Sequence, residues 1–389
     1  MGTENFESET TLNIPNLQLA QLKFILSLPE YRNDEARKKE LYEAIVAEDM
    51  APYYEIVCND LKWKLHKKLL KQMKERNEQV LVSMDEDIEA SLKGLVAKDC
   101  AELYLNKANY LCKIGDKENA IKVLSHAYDQ SFSVKNKLDN VFFCIRIGFF
   151  FMDFKLIESN VEKAEKLTEE ESDWHSRNCF KIFKAIYSLI VRNFKSASQL
   201  LVDAISTFVC TEMITYEHFI KYTLISSVLT LNRNETKQRL IQNADMQQAL
   251  QADNTFREYL YSLYNCDYKV FFQRLADVEV FMKQDMFLNP HYKSYVREMK
   301  IKAYDQLLST YISVNLSYMS DQFGVCEDYI ENDLSKFIAA GRLGYKIDKV
   351  SGIVVNQRKD RKTEIFQAVI KHGDILLNRV HKLGRVIEI

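Results

Sequence analysis

The chain has 389 residues and is almost neutral, with 53 Lys and Arg against 55 Asp and Glu and a formal net charge of −2. It contains only 10 glycines and 4 prolines, well below ordinary usage. The even charge argues against a polyanion as the main partner, and the scarcity of turn residues argues against all-β and doubly wound folds. We therefore expect a mostly helical protein with two or three domains.

Cysteine spacing and hydropathy point to a reducing, soluble compartment. The eight cysteines are widely spaced, so neither a CxxC pair nor zinc-ribbon spacing occurs. The first residues lack the basic and apolar regions of a secretory signal. The longest apolar run, residues 141–152, contains Arg146 and falls short of the roughly 20 residues that cross a bilayer. We expect no membrane partner.

The N-terminal third reads as a polar tail followed by amphipathic helices. Residues 1–16 carry Pro15 and predict a loose tail, and helical patterns cover residues 17–28 and 35–58. A basic segment, residues 62–76, then precedes an acidic one, with an apolar stripe continuing beneath both. Two interpretations are a docking face for an acidic partner and a solvated helix face with counter-charges downstream; we favour the second.

From about residue 100 the sequence repeats a helix–turn–helix cadence. The turns centre on Gly115-Asp116-Lys117, Asp153-Phe154-Lys155 and Asn193-Phe194-Lys195. Small residues that permit close helix contact follow at helical spacing, namely Ala120, Ala197 and Ala204. This pattern is typical of a two-helix solenoid close to a degenerate tetratricopeptide period. The fold prediction is therefore all-α, beginning with a right-handed, TPR-like helical-repeat solenoid.

The C-terminal third predicts a bridging helix and a winged helix. One apolar stripe predicts a single helix over residues 291–318, ending at Gly324. Two short helices, 325–332 and 334–340, follow, with Asp333 capping the second and Gly341 closing it. Two β-like runs separated by a turn-rich linker then predict a hairpin, and the chain ends in a helix over residues 362–389.

No motif in the sequence indicates an enzyme or a cofactor site. A Walker loop, GxGxxG, HExxH and an EF-hand loop are all missing. The nearest approach to a nucleophile–base pair is His175 and Cys179, four residues apart, for which a buried thiol beside a surface histidine is the preferred interpretation. Residues 325–349 carry four basic and five acidic side chains, which disfavours nucleic-acid binding by the winged helix. Protein partners fit better.

Two features indicate how a protein partner is held. A hairpin after a solenoid leaves a strand edge that a neighbouring chain can extend. The terminal helix has an apolar stripe with nothing downstream to cover it, so it either joins other chains in a bundle or folds back on its own solenoid. This stripe consists of Ile365, Val369, Leu376, Val380, Leu383 and Ile387.

The chain resembles the proteasome non-ATPase regulatory subunit 6 family, a PCI-domain component of the regulatory-particle lid. The resemblance begins near Leu17 and reaches the C-terminus. The matching segments are residues 51–55 (APYYE), 110–118 (YLCKIGDKE), 259–264 (YLYSLY), 291–292 (HY), 295–299 (YVREM), 336–343 (KFIAAGRL), 346–350 (KIDKV) and 373–380 (GDILLNRV).

The resemblance implies a non-catalytic scaffold without cofactor or metal, located in cytoplasm and nucleus. The implied partners are other lid PCI subunits, the lid isopeptidase and the ATPase ring; a subunit of another PCI complex such as the signalosome is the alternative. The strand edge then corresponds to Tyr345 and Ile347 with Ile353 and Val355. The predicted division is a tail (1–16), solenoid (17–190), helical PCI part (191–323), winged helix (324–358) and bundle helix (359–389).

Overall fold

A computed structural model describes residues 14–93, 97–131, 133–170, 173–356 and 361–387. Helices account for most of these residues, and the described strands form one small sheet. A helical-repeat array comes first in the chain, followed by a winged helix and a long terminal helix. The predicted fold class is therefore confirmed.

The chain divides into two compact units, described separately. The first unit holds the chain up to Leu260 together with Ala276–Lys293, and the second holds Tyr261–Leu275 together with the chain from Ser294. The first unit contains α1 (Leu17–Ser27), α2 (Glu35–Ala47), α3 (Ala51–Leu61), α4 (Lys67–Lys93), α5 (Ala97–Ile114), α6 (Lys117–Gln130), α7 (Val134–Phe151), α8 (Phe154–Glu170), α9 (Trp174–Ile190), α10 (Phe194–Asp203), α11 (Tyr216–Thr230), α12 (Arg233–Thr236) and α13 (Ala244–Ala252).

Two helices contribute residues to both units, α14 (Asn254–Asn265) and α15 (Tyr268–Gln284). The second unit then contains α16 (Tyr292–Leu308), β1 (Ser313–Asn315), α17 (Leu316–Phe323), α18 (Glu327–Ala339), β2 (Tyr345–Asp348), β3 (Ile353–Asn356) and α19 (Arg361–Ile387). Within the first unit α5 packs on α6, α7 on α8 and α9 on α10, and α6–α7 and α8–α9 contacts join successive pairs. This is the predicted repeat.

All three predicted repeat turns are confirmed, and they share one geometry. In each turn a residue just after the first helix has a left-handed backbone. The next residue is an Asp or Asn at the start of the second helix. The backbone N–H of that Asp or Asn donates to the carbonyl five residues earlier at 2.8–2.9 Å, which satisfies a free helix-end carbonyl. A fourth turn of this kind, Cys266-Asp267, was missed, although Asp267-Tyr268-Lys269 repeats the Asp/Asn–aromatic–Lys pattern of two of the predicted turns. The three predicted turns have their left-handed residues at Gly115, Met152 and Arg192.

Close packing explains the small residues near these turns. Gly115 has φ +83°, and a Cβ atom there would lie 2.6 Å from the Cβ of Tyr53. Gly148 on α7 permits similar contact, since a Cβ atom would lie 2.6 Å from Cγ1 of Ile157 on α8. Ala120, Ala197 and Ala204 are fully buried. The prediction that small residues mark close helix approaches is confirmed.

A buried carboxylate organises the segment after α15. Asp285 accepts a hydrogen bond from the Tyr222 hydroxyl at 2.5 Å and from the backbone N–H groups of Phe287 and Leu288 at 2.8 and 3.0 Å. Burial raises the pKa of the Asp285 carboxyl, while these donors lower it. The side chain of Gln21 on α1 bonds to the backbone of the same segment. Residues 284–288 therefore tie the N-terminal helix to the first unit.

The predicted bridging helix over residues 291–318 is wrong. The helix α16 ends at Leu308, and residues 313–315 form strand β1, which pairs with β3. The β-branched residues Thr310, Ile312 and Val314 alternate through this stretch and favour an extended backbone. Helix α17 then ends at Gly324, whose φ of +65° supports the predicted stop there.

The two short helices predicted on either side of Asp333 are one helix, α18. Asp333 lies inside it and pairs with Lys300 on α16, with 3.0 Å between Lys300 Nζ and Asp333 Oδ2. A tertiary ion pair, and not a helix cap, therefore accounts for this aspartate. The predicted stop at Gly341 is confirmed, since its φ is +68° and its N–H donates to the Ile338 carbonyl.

The three strands form an antiparallel sheet in the order β1-β3-β2. Val354 of β3 is opposite Val314 of β1 on one side and Ile347 of β2 on the other. The hairpin is confirmed, but the prediction that β3 supplies a free edge is wrong because β1 covers it.

An aromatic cluster packs the core of the second unit. Its ring centroids are 4.8–5.9 Å apart, and it consists of Tyr268, Phe272, Tyr304 and Phe323.

Candidate subunit interface

The terminal helix α19 is exposed along its whole described length. Every residue from 362 to 387 is exposed. The six predicted stripe residues occupy about 60° of arc on a helix with 3.6 residues per turn, and each is 57–73% exposed. The stripe therefore keeps most of its surface exposed in the part of the chain that the structure describes. The six are Ile365, Val369, Leu376, Val380, Leu383 and Ile387.

A second apolar stripe beside the first was missed. Phe366, Ile370 and Leu377 are each at least 60% exposed, and they widen the apolar face to about 140° of arc. Gly373 and Gly384 lie in the same arc, and a Cβ atom at either would meet nothing within 4 Å. Glycine inside a helix costs roughly 0.5–1 kcal/mol, and no packing within the described chain requires it here. Reading the residue after each stripe position would have revealed this wider face.

The outer side of β2 is an edge of the described sheet. The side chain of Tyr345 is buried, and its hydroxyl donates to Asp305 at 2.8 Å, so this residue offers a partner only its main chain. Ile347 is half-buried. On the central strand β3, Ile353 is half-buried and Val355 is exposed on one face. The contact of these four residues with a partner stays a prediction.

The second sheet edge, β1, was missed together with the apolar residues around it. Ile312 is 84% exposed directly before the strand. The rings of Tyr311 and Tyr318 stand edge to face with centroids 6.4 Å apart, and both are exposed. The alternation of β-branched residues from Thr310 to Val314 was the available signal.

The exposed surface of α18 is acidic. Glu327 and Asp328 are exposed in its first turn, where the helix dipole favours negative charge. The only basic residue of α18 is Lys336 in the last turn. A helix that enters a nucleic-acid groove needs cationic side chains, so this surface favours a protein partner.

The basic segment 62–76 has some counter-charges on the preceding elements. Lys74 pairs with Glu55 at 2.6 Å and Arg76 with Asp49 at 3.0 Å. The expectation that its counter-charges lie downstream is therefore wrong for these two pairs, although the helix face itself is solvated.

The His175–Cys179 pair lies on α9 with 3.7 Å between Nε2 and Sγ, and Cys179 is buried. Cys179 shares a cavity with Cys210, a neighbour that sequence spacing could not reveal, and the interaction of the two thiols lowers the pKa of Cys179 and raises that of Cys210. Across the described ranges, no three His, Cys, Asp or Glu side chains are grouped so as to hold a metal ion. In the same part of the chain, every helix is too short or too polar to cross a membrane.

Helical repeats, a winged helix with a three-stranded sheet and an exposed terminal helix define a PCI-type protein. The PCI domain family matches residues 275–358. The family described as 26S proteasome subunit RPN7 matches residues 66–239, and that of the 26S proteasome regulatory subunit RPN7/PSMD6 C-terminal helix matches 367–387. The chain belongs to the 26S proteasome non-ATPase regulatory subunit 6 family, which confirms the resemblance.

Curated relatives match over nearly their full length. The 26S proteasome non-ATPase regulatory subunit 6 homolog of Arabidopsis thaliana is 40% identical over 377 residues, covering 96% of this chain and 97% of the relative. The subunit 6 protein of Dictyostelium discoideum is 38% identical, with 98% and 100% covered. The 26S proteasome regulatory subunit RPN7 of Saccharomyces cerevisiae is 31% identical, with 98% and 95% covered.

Proposed function

We propose that this protein is a non-catalytic scaffold subunit of the 26S proteasome regulatory-particle lid, supporting ATP-dependent degradation of ubiquitinated proteins. The observation that carries this proposal is the broad apolar face of α19, which the described chain leaves exposed. Family membership supplies the assembly in which such a face is buried.

The terminal helix supplies most of the association energy in this proposal. Burying an aliphatic side chain fully is worth about 1.5–3 kcal/mol. The six stripe residues are already partly covered, so their further burial is worth roughly 6–12 kcal/mol in total. That is comparable with an association cost of about 4–15 kcal/mol. The second stripe then makes a bundle with more than one neighbouring helix favourable.

The sheet edges supply register and orientation. A neighbouring strand beside β2 would extend the sheet by main-chain hydrogen bonds, which are directional and fix how two winged helices meet. The partly buried Tyr345–Asp305 hydrogen bond ties β2 to α16, so the edge is held rigidly for a partner. We infer that Tyr345, Ile347, Ile353 and Val355 belong to this contact, the last two through the exposed face of the sheet.

The proposed partners are the other PCI subunits of the lid, the lid isopeptidase and the ATPase ring, in cytoplasm and nucleus. Purification of a tagged chain from cells tests this. The full chain should recover proteasome ATPases and the isopeptidase, whereas a chain lacking residues 362–389 should recover neither. Recovery of cullin ligases in their place would instead favour the signalosome, and normal assembly of the truncated chain would contradict the role of α19.

A further inference from the structure

The scaffold role leaves one chemically distinctive cluster unused, the thiols of Cys179 and Cys210 with His175. Cys179 lies on α9 one turn after His175, at 3.7 Å between Sγ and Nε2. Cys210 lies in the irregular segment between α10 and α11, and it lines the same cavity as His175 and Cys179. Two thiols that are 31 residues apart in the sequence therefore share one cavity with a proton acceptor.

Both thiols line a cavity of about 470 Å³ in the first unit. Lys135, His175 and Thr211 also line it and are exposed, so the cavity opens to solvent. A water molecule occupies about 30 Å³ in the liquid, so a molecule as small as hydrogen peroxide has ample room. Larger reagents meet two buried sulfurs, with Cys179 8% and Cys210 3% exposed.

The surroundings distinguish Cys179 from two other cysteines of the first unit, the buried Cys112 and the half-buried Cys144. Burial raises the pKa of Cys112, and it raises that of Cys144 to about 11, so neither thiol is a good nucleophile. At Cys179 the interaction with the Cys210 thiol outweighs burial and lowers the pKa. Glu212 and Asp139, which line the same cavity, raise the pKa of Cys179, and Arg146 lowers it.

We propose that Cys179 and Cys210 form a peroxide-sensitive dithiol pair that closes to a disulfide. His175 takes the proton of Cys179, and the thiolate attacks one peroxide oxygen. The O–O bond breaks, Cys179 becomes a sulfenic acid, and the departing hydroxide takes the proton held by His175 and leaves as water. The sulfur of Cys210 then attacks the Cys179 sulfur, the S–O bond breaks, and the proton of the Cys210 thiol passes to the departing hydroxide, which leaves as a second water. The two thiols lose two electrons and the peroxide gains two.

The backbone around Cys210 allows this bond to form. Cys210 lies at the centre of a tight turn in which the Thr211 N–H donates to the Val209 carbonyl at 2.9 Å. Because the segment is neither helix nor strand, it can shift to bring the sulfurs to the roughly 2.05 Å of a disulfide without breaking a helix. The product would fasten α9 to the segment that precedes α11.

The test exposes the full-length chain to hydrogen peroxide and maps disulfides by peptide mass spectrometry without reduction. We expect a Cys179–Cys210 crosslink that a thiol reductant reverses. Cys210→Ser should instead leave Cys179 as a sulfenic acid that a dione probe labels. His175→Gln should slow crosslinking by at least about tenfold, with an unchanged circular dichroism spectrum.

The matched control is Cys326→Ser, because Cys326 is an exposed cysteine outside this cavity. That variant should form the crosslink at the unchanged rate. The proposal is overturned if Cys326 oxidises while Cys179 and Cys210 stay reduced, or if His175→Gln crosslinks as fast as the natural chain. It is equally overturned if Cys210→Ser leaves no labelled Cys179. None of these outcomes depends on whether the chain assembles with proteasome subunits.

Discussion

Placing aspartate at Leu376 and Leu383 of α19 should separate assembly from folding. Both side chains are 60% exposed, so their replacement should change the free energy of unfolding of the isolated chain by about 1 kcal/mol or less, mostly through helix propensity. In a helix bundle each leucine would bury its remaining surface, worth roughly 1–2 kcal/mol, and each aspartate would bury an unpaired charge. The two changes together should weaken association by at least about 3 kcal/mol, or more than about 100-fold.

Two measurements on the same variant decide this prediction. Thermal denaturation of the isolated chain reports folding, and native mass spectrometry of the lid reconstituted with its other subunits reports assembly. Gln367→Asp with Asn378→Asp is the matched control, since it adds the same charge on the opposite side of the exposed helix. If the leucine variant melts several degrees lower while the control does not, α19 packs on its own chain. If it assembles like the control, the apolar face is not an interface.

Four further substitutions test the packing and the electrostatics of the two units. Gly115→Ala should lower the free energy of unfolding of the first unit by more than about 2 kcal/mol in urea denaturation, because the added Cβ would clash with Tyr53. Gly341→Ala is the control: its φ is similar but nothing lies within 4 Å, so it should lower the free energy of unfolding by only about 1 kcal/mol. Equal losses from the two substitutions would refute the clash at Gly115. Asp285→Ala should cost about 2–4 kcal/mol by the same assay because it leaves the buried Tyr222 hydroxyl unpaired, and a cost under 1 kcal/mol would contradict that role. Burial lowers the pKa of Lys302 from 10.5 to about 8. Between about pH 8 and 10.5 this lysine is therefore more protonated in the unfolded chain than in the folded chain. The free energy of unfolding consequently rises with pH across that interval. Lys302→Met should therefore gain stability over the natural chain at pH 7 and lose part of that advantage by pH 9.5; a pH-independent difference would argue against a depressed pKa.

Local sequence patterns were sufficient for the repeat turns and for the terminal helix. At Gly115 and Asp116 a left-handed residue and a helix-capping side chain stand next to each other, so the turn follows from neighbouring residues alone. The stripe of α19 is likewise a matter of helical spacing. The wider face through Phe366 and Leu377 was present in the same pattern but was not used.

Long-range contacts decided the remainder. Val314 fits the apolar stripe that predicted a helix, yet residues 313–315 form a strand in which Val314 pairs with Val354, forty residues later. The same pairing makes β3 a central strand and moves the free edges to β1 and β2. Cys210 reaches Cys179 only because the chain turns back between α10 and α11. Spacing along a helix reports which side chains share a face, and alternation along the chain favours a strand. Which strands pair, which thiols share a cavity and what covers α19 depend instead on what lies opposite them in the fold.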